Sequence, residues 1–186
     1  KDFLIQEKGV NILPVATIYG ANASGKTNVL KAFQELRRLI VFSHYYSEKN
    51  ENSNPIIPFL FDDKLSKENT TFSVFLVSDD RKKEYNYGCS WKDGIVYEEW
   101  LMERTFSKNE TIWKKVLERE QQKFVYGEQK KYKKLSGYDD LIQKNMLVVS
   151  FLGSKDIKGI DAFKEVYDWA ALGFYEGVSG SINIEK

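Results

Sequence analysis

Cysteine and histidine are nearly absent from this sequence. A single cysteine, Cys89, excludes an internal disulfide and any metal site built from several cysteines. A single histidine, His44, excludes a histidine-rich metal centre within the chain. The position of His44 just past the first predicted helix indicates a surface or helix-end residue. The alternating neighbours of Cys89 indicate a buried, small apolar residue.

Long apolar runs and a strong net charge are also missing. The longest apolar stretches resemble residues 146–149, far short of the ~18 residues that span a membrane. The N-terminal region shows no signal-peptide core. We therefore expect a cytoplasmic protein with no membrane association. The formal net charge of +1 excludes a globally basic nucleic-acid binder and leaves room for a local basic patch.

The chain has the size and apolar content of one folded domain. Its 186 residues match one ordinary domain, and 42% hydrophobic residues can bury a real core. It begins at Lys1 rather than methionine and ends at Lys186 without an obvious stop, so we expect part of a longer protein.

Hydrophobic periodicity predicts four parts within a single, partial domain spanning 1–186. A buried strand at 15–19 and an amphipathic helix at about 27–42 are predicted near the N-terminus. Alternating apolar residues predict an antiparallel meander, and two helices are predicted after it, at 138–145 and 160–172. The parts are 1–45 (strand and helix), 46–71 (loop), 72–126 (antiparallel sheet) and 127–186 (helices).

One motif carries the chemistry. It matches G-x-x-x-x-G-K-[ST] at every fixed position and lies between a predicted strand and a predicted helix, which is the context of a P-loop. The motif residues are Gly20, Ala21, Asn22, Ala23, Ser24, Gly25, Lys26 and Thr27.

Each part of the motif has a physical role toward a nucleoside triphosphate. Gly20 and Gly25 allow backbone angles and approaches that a Cβ would block. The loop N–H groups and the start of the following helix hold phosphate oxygens. The Lys26 ammonium reaches the β- and γ-phosphates, so we assign it the catalytic role, and the Thr27 hydroxyl is placed to bind Mg²⁺. The predicted cofactors are ATP and Mg²⁺.

The residues around the motif resemble one class of P-loop protein. With Asn28 after the Lys-Thr pair, the loop resembles that of ABC-type ATPases related to SMC and DNA-repair proteins. It is similar, more narrowly, to the bacterial AAA15 group and to the ATPase halves of OLD-family and anti-phage abortive-infection systems. Further matching landmarks are Pro58-Phe59, the strand at 72–76, Tyr85-Asn86-Tyr87, Glu98-Glu99-Trp100-Leu101 and Leu117-Glu118-Arg119-Glu120.

The resemblance implies a fold and a mode of action. The fold class is α/β, an ABC/SMC-like P-loop NTPase N-terminal lobe with an antiparallel β-meander subdomain and C-terminal helices. The resemblance also implies ATP and Mg²⁺ sandwiched in a homodimer or higher homo-oligomer. Dimer closing would drive a partner nuclease or toxin, with DNA or RNA as a further partner.

The acidic strand that hydrolysis needs is not well formed in this sequence. Phe59-Leu60-Phe61-Asp62-Asp63 is the best local match, but Pro58 shortens it and its second acid is aspartate rather than glutamate. In a second candidate, at 74–80, Ser78 interrupts the apolar run. In the resembled family these elements follow later in the chain. We therefore expect residues 1–186 to bind ATP without turning it over.

A lysine-rich segment at 114–134 carries eight basic residues against three acidic ones. Interleaved Tyr126 and Tyr132 are compatible with a surface that tracks nucleic-acid phosphates, and a solvated lysine-rich arm fits the same pattern. The candidate nucleic-acid residues are Lys130, Lys131, Lys133 and Lys134.

Two rival functions stay open. A P-loop kinase would need an arginine-rich lid, and only Arg104 and Arg119 lie in the candidate lid region. A nucleotide-gated DNA-binding or interaction module is the non-enzymatic alternative. The meander favours the ABC/SMC-like lobe, because such an insertion is unusual in simple kinases. Strand alternation places Glu98 and Glu99 on opposite faces, which argues against a shared acid/base pair.

Overall fold

A computed structural model describes residues 5–7, 10–12, 16–48, 67–106 and 112–172. A short antiparallel hairpin, β1 (Ile5–Glu7) with β2 (Val10–Ile12), precedes the long helix α1 (Lys26–Glu48). Five strands then form one sheet: β3 (Thr70–Val77), β4 (Lys83–Lys92), β5 (Ile95–Thr105), β6 (Lys114–Glu120) and β7 (Lys123–Tyr126). The helical part comprises α2 (Lys130–Lys133), a 3₁₀ helix (Lys134–Leu141), α3 (Val148–Gly153) and α4 (Asp161–Leu172).

The sheet is a meander in which every strand pairs antiparallel with its neighbour in sequence, in the order β3-β4-β5-β6-β7. The predicted antiparallel sheet over 72–126 is therefore confirmed. The tight turn between β4 and β5 follows from Asp93 and Gly94, whose φ angles are +51° and +75°. Two consecutive positive φ angles suit the right-handed twist of the flanking strands.

One face of the sheet forms the core. Tyr85, Tyr87, Cys89 and Trp91 alternate along β4 and are all buried. Their cross-strand partners on β5 share that face, including Leu101 opposite Tyr87. The aromatic stripe and Cys89 are thus core residues, as predicted.

The helical layer packs α1 against α3 and α4, and polar side chains fix that packing. The Ser43 hydroxyl accepts from the Leu147 N–H at 3.1 Å. The His44 ring nitrogen Nδ1 lies 2.9 Å from the Ser150 hydroxyl. Arg37 donates from Nε to the Ala170 carbonyl at 2.8 Å, where a cation also complements the C-terminal dipole of α4.

The N-terminal predictions need two corrections. The predicted strand at 15–19 is not formed over 16–19, where every residue is exposed and no strand is present. A buried parallel strand needs neighbouring strands, and the described part of the chain pairs its strands only as the hairpin and the meander. Helix α1 extends to Glu48, so His44 lies within the helix on a packed side rather than past its end.

The helical part differs from its prediction in one place and agrees in another. The helix predicted at 138–145 is a 3₁₀ helix that ends at Leu141. A short, wholly buried helix at 148–153 was not predicted, because an element that is apolar all round has no amphipathic period. The helix predicted at 160–172 is confirmed as α4. Within the described residues, no helix has both the length and the apolar content to cross a membrane.

Candidate nucleotide-binding site

The loop before α1 has the backbone that its glycines predict. Gly25 has a φ of +88°, a conformation that strains any residue with a Cβ, and a Cβ there would meet no atom within 4 Å. At Gly20 a Cβ would lie 2.6 Å from the Ser24 hydroxyl oxygen, so the Ser24 side chain would have to rotate to admit it. Ala23, with a φ of +62°, adopts the same left-handed region. The loop therefore turns tightly over 20–25 before the helix begins.

The Lys26 ammonium is held by the loop itself. Its Nζ donates to the carbonyl oxygens of Gly20 at 2.8 Å and Ala21 at 2.6 Å, and it lies 3.4 Å from the Ser24 hydroxyl. Lys26 is the first residue of α1, where a cation faces the positive end of the helix dipole. The loop oxygens offset that repulsion. All three partners are neutral, so a phosphate, which carries formal charge, makes the stronger hydrogen bonds with the same ammonium.

The start of α1 supplies unpaired backbone donors. The N–H groups of Asn28 and Val29 donate to the Gly25 carbonyl at 2.9 Å and 3.3 Å. The N–H groups of Lys26 and Thr27 precede these and, as in any α-helix start, have no intrahelical acceptor. The first turn carries no acidic residue that would repel an anion, and Thr27 is exposed. A lysine, N–H donors and an accessible hydroxyl in one turn fit the phosphates of a nucleotide and its Mg²⁺.

A tight glycine loop that leads into a helix beginning Lys-Thr-Asn defines the class as a P-loop nucleotide-binding domain. Residues 15–145 match the family model described as "AAA domain, putative AbiEii toxin, Type IV TA system", and the chain belongs to this family of ABC/SMC-like P-loop ATPases. No curated protein and no solved structure matches the chain. The matched range includes the P-loop, α1 and the whole five-stranded sheet, and it ends before α3.

Of the two candidate acidic strands for hydrolysis, the structure describes only the second. Residues 59–63 lie outside the described residues. The second candidate, at 74–80, consists of the end of β3 and the turn after it, with the Asp80 carboxylate accepting from the Ser78 hydroxyl at 2.7 Å. The Lys82 N–H donates to the same carboxylate at 3.0 Å, so Asp80 closes the turn, and both hydrogen bonds lower its pKa.

The most buried polar cluster of the described residues was not predicted as a unit. Glu99 is fully buried on the core face of β5, while Glu98 is exposed, which confirms that the two glutamates lie on opposite faces. Arg119, which the sequence places in the basic segment, is also buried and points to Glu99. This is a correction: Arg119 is a core residue because its strand register sets it directly opposite Glu99.

The carboxylate of Glu99 accepts hydrogen bonds from several directions. The Val148 and Val149 N–H groups at the start of α3 donate to it at 2.7 Å and 3.0 Å, and the Tyr87 hydroxyl at 3.1 Å. The Arg119 Nη1 lies 3.6 Å away. Burial raises the pKa of Glu99, and the Arg119 charge with the two N–H donors opposes that rise. Glu99 therefore joins β5 to the N-terminus of α3.

Arg119 extends this cluster from β6 to the connection that precedes α3. Its guanidinium donates to the carbonyls of Gln121, Met146 and Gln143, at 2.6, 2.5 and 3.2 Å, and stacks 5.1 Å above the Phe124 ring centroid. The 143–146 connection before α3 is thus fixed to β6 and β7. The sequence signal for the Glu99–Arg119 pair is opposite charge at matching positions of two strands. This signal can be used only after the pairing of the strands is known.

The predicted nucleic-acid residues fall on one short segment. Lys130, Lys133 and Lys134 are exposed on α2 and the start of the 3₁₀ helix, and Lys131 is half-buried. Tyr132 is fully buried and donates to Glu103, so its ring is not available to stack on a base. These lysines remain a predicted nucleic-acid site.

Proposed function

We propose that this domain binds ATP with Mg²⁺ at the loop 20–28 and uses binding and hydrolysis to switch a partner effector. The observation that carries the proposal is the Lys26 ammonium, held by neutral oxygens of a glycine loop at the start of α1. Lys26 would exchange those oxygens for phosphate oxygens, and Thr27 would hold the metal. When bound, Mg²⁺ would supply charge neutralisation for phosphoryl transfer.

Calorimetry of ATP·Mg²⁺ binding tests the site. Lys26→Ala removes a charge-assisted contact typically worth ~1.5–3 kcal/mol, so we expect binding roughly ten- to hundredfold weaker. The matched control is Lys31→Ala, which deletes an exposed lysine of the same helix. An unchanged dissociation constant in Lys26→Ala, or an equal loss in both variants, would reject the site.

The metal role is tested separately. In Thr27→Ala the hydroxyl that holds Mg²⁺ is missing, and we expect nucleotide affinity to become nearly independent of Mg²⁺. The comparison is the ratio of dissociation constants with and without the metal, measured in both proteins. A ratio equal to that of the unmodified chain would contradict the assignment of Thr27.

Turnover is expected to require a catalytic acid and a second protomer. The sequence contains no well-formed apolar strand that ends in Asp-Glu and no signature Ser-Gly loop beside its P-loop. Phosphoryl transfer needs a group that orients the attacking water as well as charge neutralisation. We therefore expect residues 1–186 to show no Lys26-dependent phosphate release. Release near ~1 s⁻¹, within the usual range for enzymes, would place the acid inside this segment.

The finer assignment is to the AAA15 and OLD-like defence ATPases. The motif with Asn28 supports it, as does the family description, which names a toxin and a toxin–antitoxin system. In this proposal two protomers close on ATP, and the movement is passed to a nuclease or toxin. Light scattering with and without ATP·Mg²⁺ on the full natural chain tests the dimer. A monomer under both conditions, with nucleotide bound, would reject this part and leave the nucleotide site intact.

A further inference from the structure

The end of the sheet away from the β4–β5 turn carries a cleft that is lined by two lysines and one glutamate. It has a volume of about 770 Å³ and lies between the start of β6 and the segment that leaves β7. The residues that line it are Lys114, Lys115, Val125, Tyr126, Gly127, Glu128 and Gln129. Gln129 is also the cap residue of α2, so Lys130, Lys133 and Lys134 follow directly from the wall of the cleft.

The cleft is held in a fixed shape by its backbone. The Gly127 N–H donates to the Val116 carbonyl at 3.0 Å, and a Cβ on Gly127 would lie 2.1 Å from the Lys115 carbonyl. The Gln129 side chain donates to Glu103 at 3.1 Å. The wall from 127 to 129 is therefore tied to both β6 and β5. A preformed cleft loses little entropy when a ligand binds in it.

The charge of this region is positive on its surface. Once Arg119 is assigned to the core, seven lysines remain between 112 and 134 against Glu118, Glu120 and Glu128. Lys115 pairs with Glu118, and the ammonium of Lys131 lies 4.5 Å from the Tyr132 ring centroid. The three exposed lysines that follow the cleft in the sequence add to this local excess of positive charge.

Tyr126 supplies an aromatic wall. Its hydroxyl donates to Asp139 at 2.8 Å, which fixes the side chain. Tyr126 is half-buried, packs against the hydrophobic core and is one of the residues that line the cleft. Lysines beside a fixed aromatic ring are what single-stranded nucleic acids need, because phosphates pair with the lysines and an unstacked base lies on the ring. A duplex could present a base to Tyr126 only by flipping it out of the stack.

From this arrangement we infer that the cleft binds single-stranded nucleic acid, with Lys114 and Lys115 on the phosphate backbone, Tyr126 against a base, and Lys130, Lys133 and Lys134 on the continuing strand. The site is separate from the P-loop and does not depend on the proposed nucleotide function. Loss of nucleic-acid binding and loss of ATP binding are therefore distinguishable in the same variants.

Fluorescence anisotropy with a labelled oligothymidylate of about 20 nucleotides, longer than the ~4–16 nucleotides of typical single-strand sites, is the test. Salt is varied from ~50 to ~200 mM. Lys114→Gln with Lys115→Gln removes two phosphate contacts and should reduce the slope of log K against log salt by about 1.4. The matched control is Lys67→Gln with Lys144→Gln, which removes two exposed lysines near the opposite end of the sheet.

The aromatic wall has its own pair of variants. Tyr126→Phe keeps the ring and should bind nearly as the unmodified chain does, while Tyr126→Leu should bind about tenfold more weakly. Circular dichroism and thermal unfolding of each protein exclude a folding defect.

Three outcomes would overturn the inference. The first is an equal loss of affinity in the cleft variant and the control variant. The second is a duplex of the same length bound as tightly as the single strand. The third is poly-L-glutamate competing as well as the oligonucleotide, which would make the cleft a site for acidic peptides.

Discussion

At the scale of single residues, Glu99 is a polar group of the described core with four partners. It is fully buried. Its carboxylate accepts hydrogen bonds from the backbone N–H groups at the start of α3 and from the Tyr87 hydroxyl, and it pairs with the Arg119 guanidinium. A buried ion pair adds little net stability compared with apolar residues, but removing one partner leaves the other charge uncompensated. The contribution of Glu99 to stability is therefore measured by removing its carboxylate, which leaves the Arg119 charge unpaired.

We predict that Glu99→Ala destabilises the domain by about 3–5 kcal/mol, because Arg119 and two N–H groups lose their acceptor. Urea unfolding followed by circular dichroism measures the change. Glu99→Gln keeps an acceptor and should cost less, which makes the test usable if the alanine variant does not fold. Glu98→Ala, on the exposed face of the same strand, should stay within ~0.5 kcal/mol. Equal losses at the two positions would contradict the prediction.

Glu103 makes the stability of the domain depend on pH in the acidic range. Burial favours a higher pKa for Glu103, but the hydrogen bond and charge of Lys83 and the hydrogen bond from Tyr132 outweigh it and lower the pKa below its ordinary value of 4.5. The folded state therefore releases this proton more readily than the unfolded chain. The stabilisation is fully present above pH ~4.5 and is lost as the pH falls through the lowered folded pKa.

We predict that Glu103→Gln flattens this acid dependence. The amide cannot be protonated in this range, so the variant should lose less stability than the unmodified chain between pH ~5 and ~3. Urea midpoints measured at each pH provide the comparison. Parallel pH profiles for the two proteins would show that Glu103 does not contribute.

At the scale of elements, the contact between α3 and α4 depends on one glycine. A Cβ on Gly153 would lie 2.5 Å from the Tyr167 Cβ and 2.8 Å from the Phe163 carbonyl. Both atoms belong to α4 and cannot rotate away, so the two helices must separate to admit a methyl group. The close approach of the two helices is thus fixed by the absence of a side chain.

We predict that Gly153→Ala destabilises the domain by about 1–3 kcal/mol, the typical cost of overpacking. Gly137→Ala is the matched control, because a Cβ there meets no atom within 4 Å. The control should be neutral or slightly stabilising, since it reduces the freedom of the unfolded chain. Thermal unfolding of both variants decides the point, and a stable Gly153→Ala would show that α3 and α4 adjust freely.

The elements that could be predicted from the sequence are those with a local pattern. The strands of the meander show period-two alternation, and Asp93-Gly94 marks a hairpin turn, so the sheet was predictable. The glycine loop was predictable because its chemistry lies within nine consecutive residues. The α3 helix was not, because its six buried residues have no polar face.

The Glu99–Arg119 cluster could not be predicted for a different reason. Its members lie 20 residues apart in the sequence, and its backbone donors at 148–149 lie further still. Only the register of β5 with β6 brings the two charges together. From residue type alone, Arg119 is predicted to lie on the surface with the neighbouring lysines. In the fold it is buried, because it pairs with Glu99.

At the scale of the whole molecule, α1 has two different halves. Its C-terminal half packs on α3 and α4, and Leu36, Leu39 and Ile40 are buried. Its N-terminal half, beside the P-loop, exposes Leu30 at 61%. The exposed set next to the P-loop comprises Ile18, Tyr19, Val29, Leu30 and Phe33. The strand predicted at 15–19 lies in this region. It is not formed over 16–19, because no described element packs on its apolar residues.

The meander order also determines which parts of the domain can fold early. Every strand of the sheet pairs with its sequence neighbour, so its closing loops are short and their entropic cost is small. The helix that carries the P-loop is held by partners more than 100 residues away, at Leu147, Ser150 and Ala170. During synthesis from the N-terminus the loop emerges first, yet its helix gains these partners last. The nucleotide site is thus completed only after the ribosome has produced α4, so a nascent chain that stops before α4 would carry the motif without its supported helix.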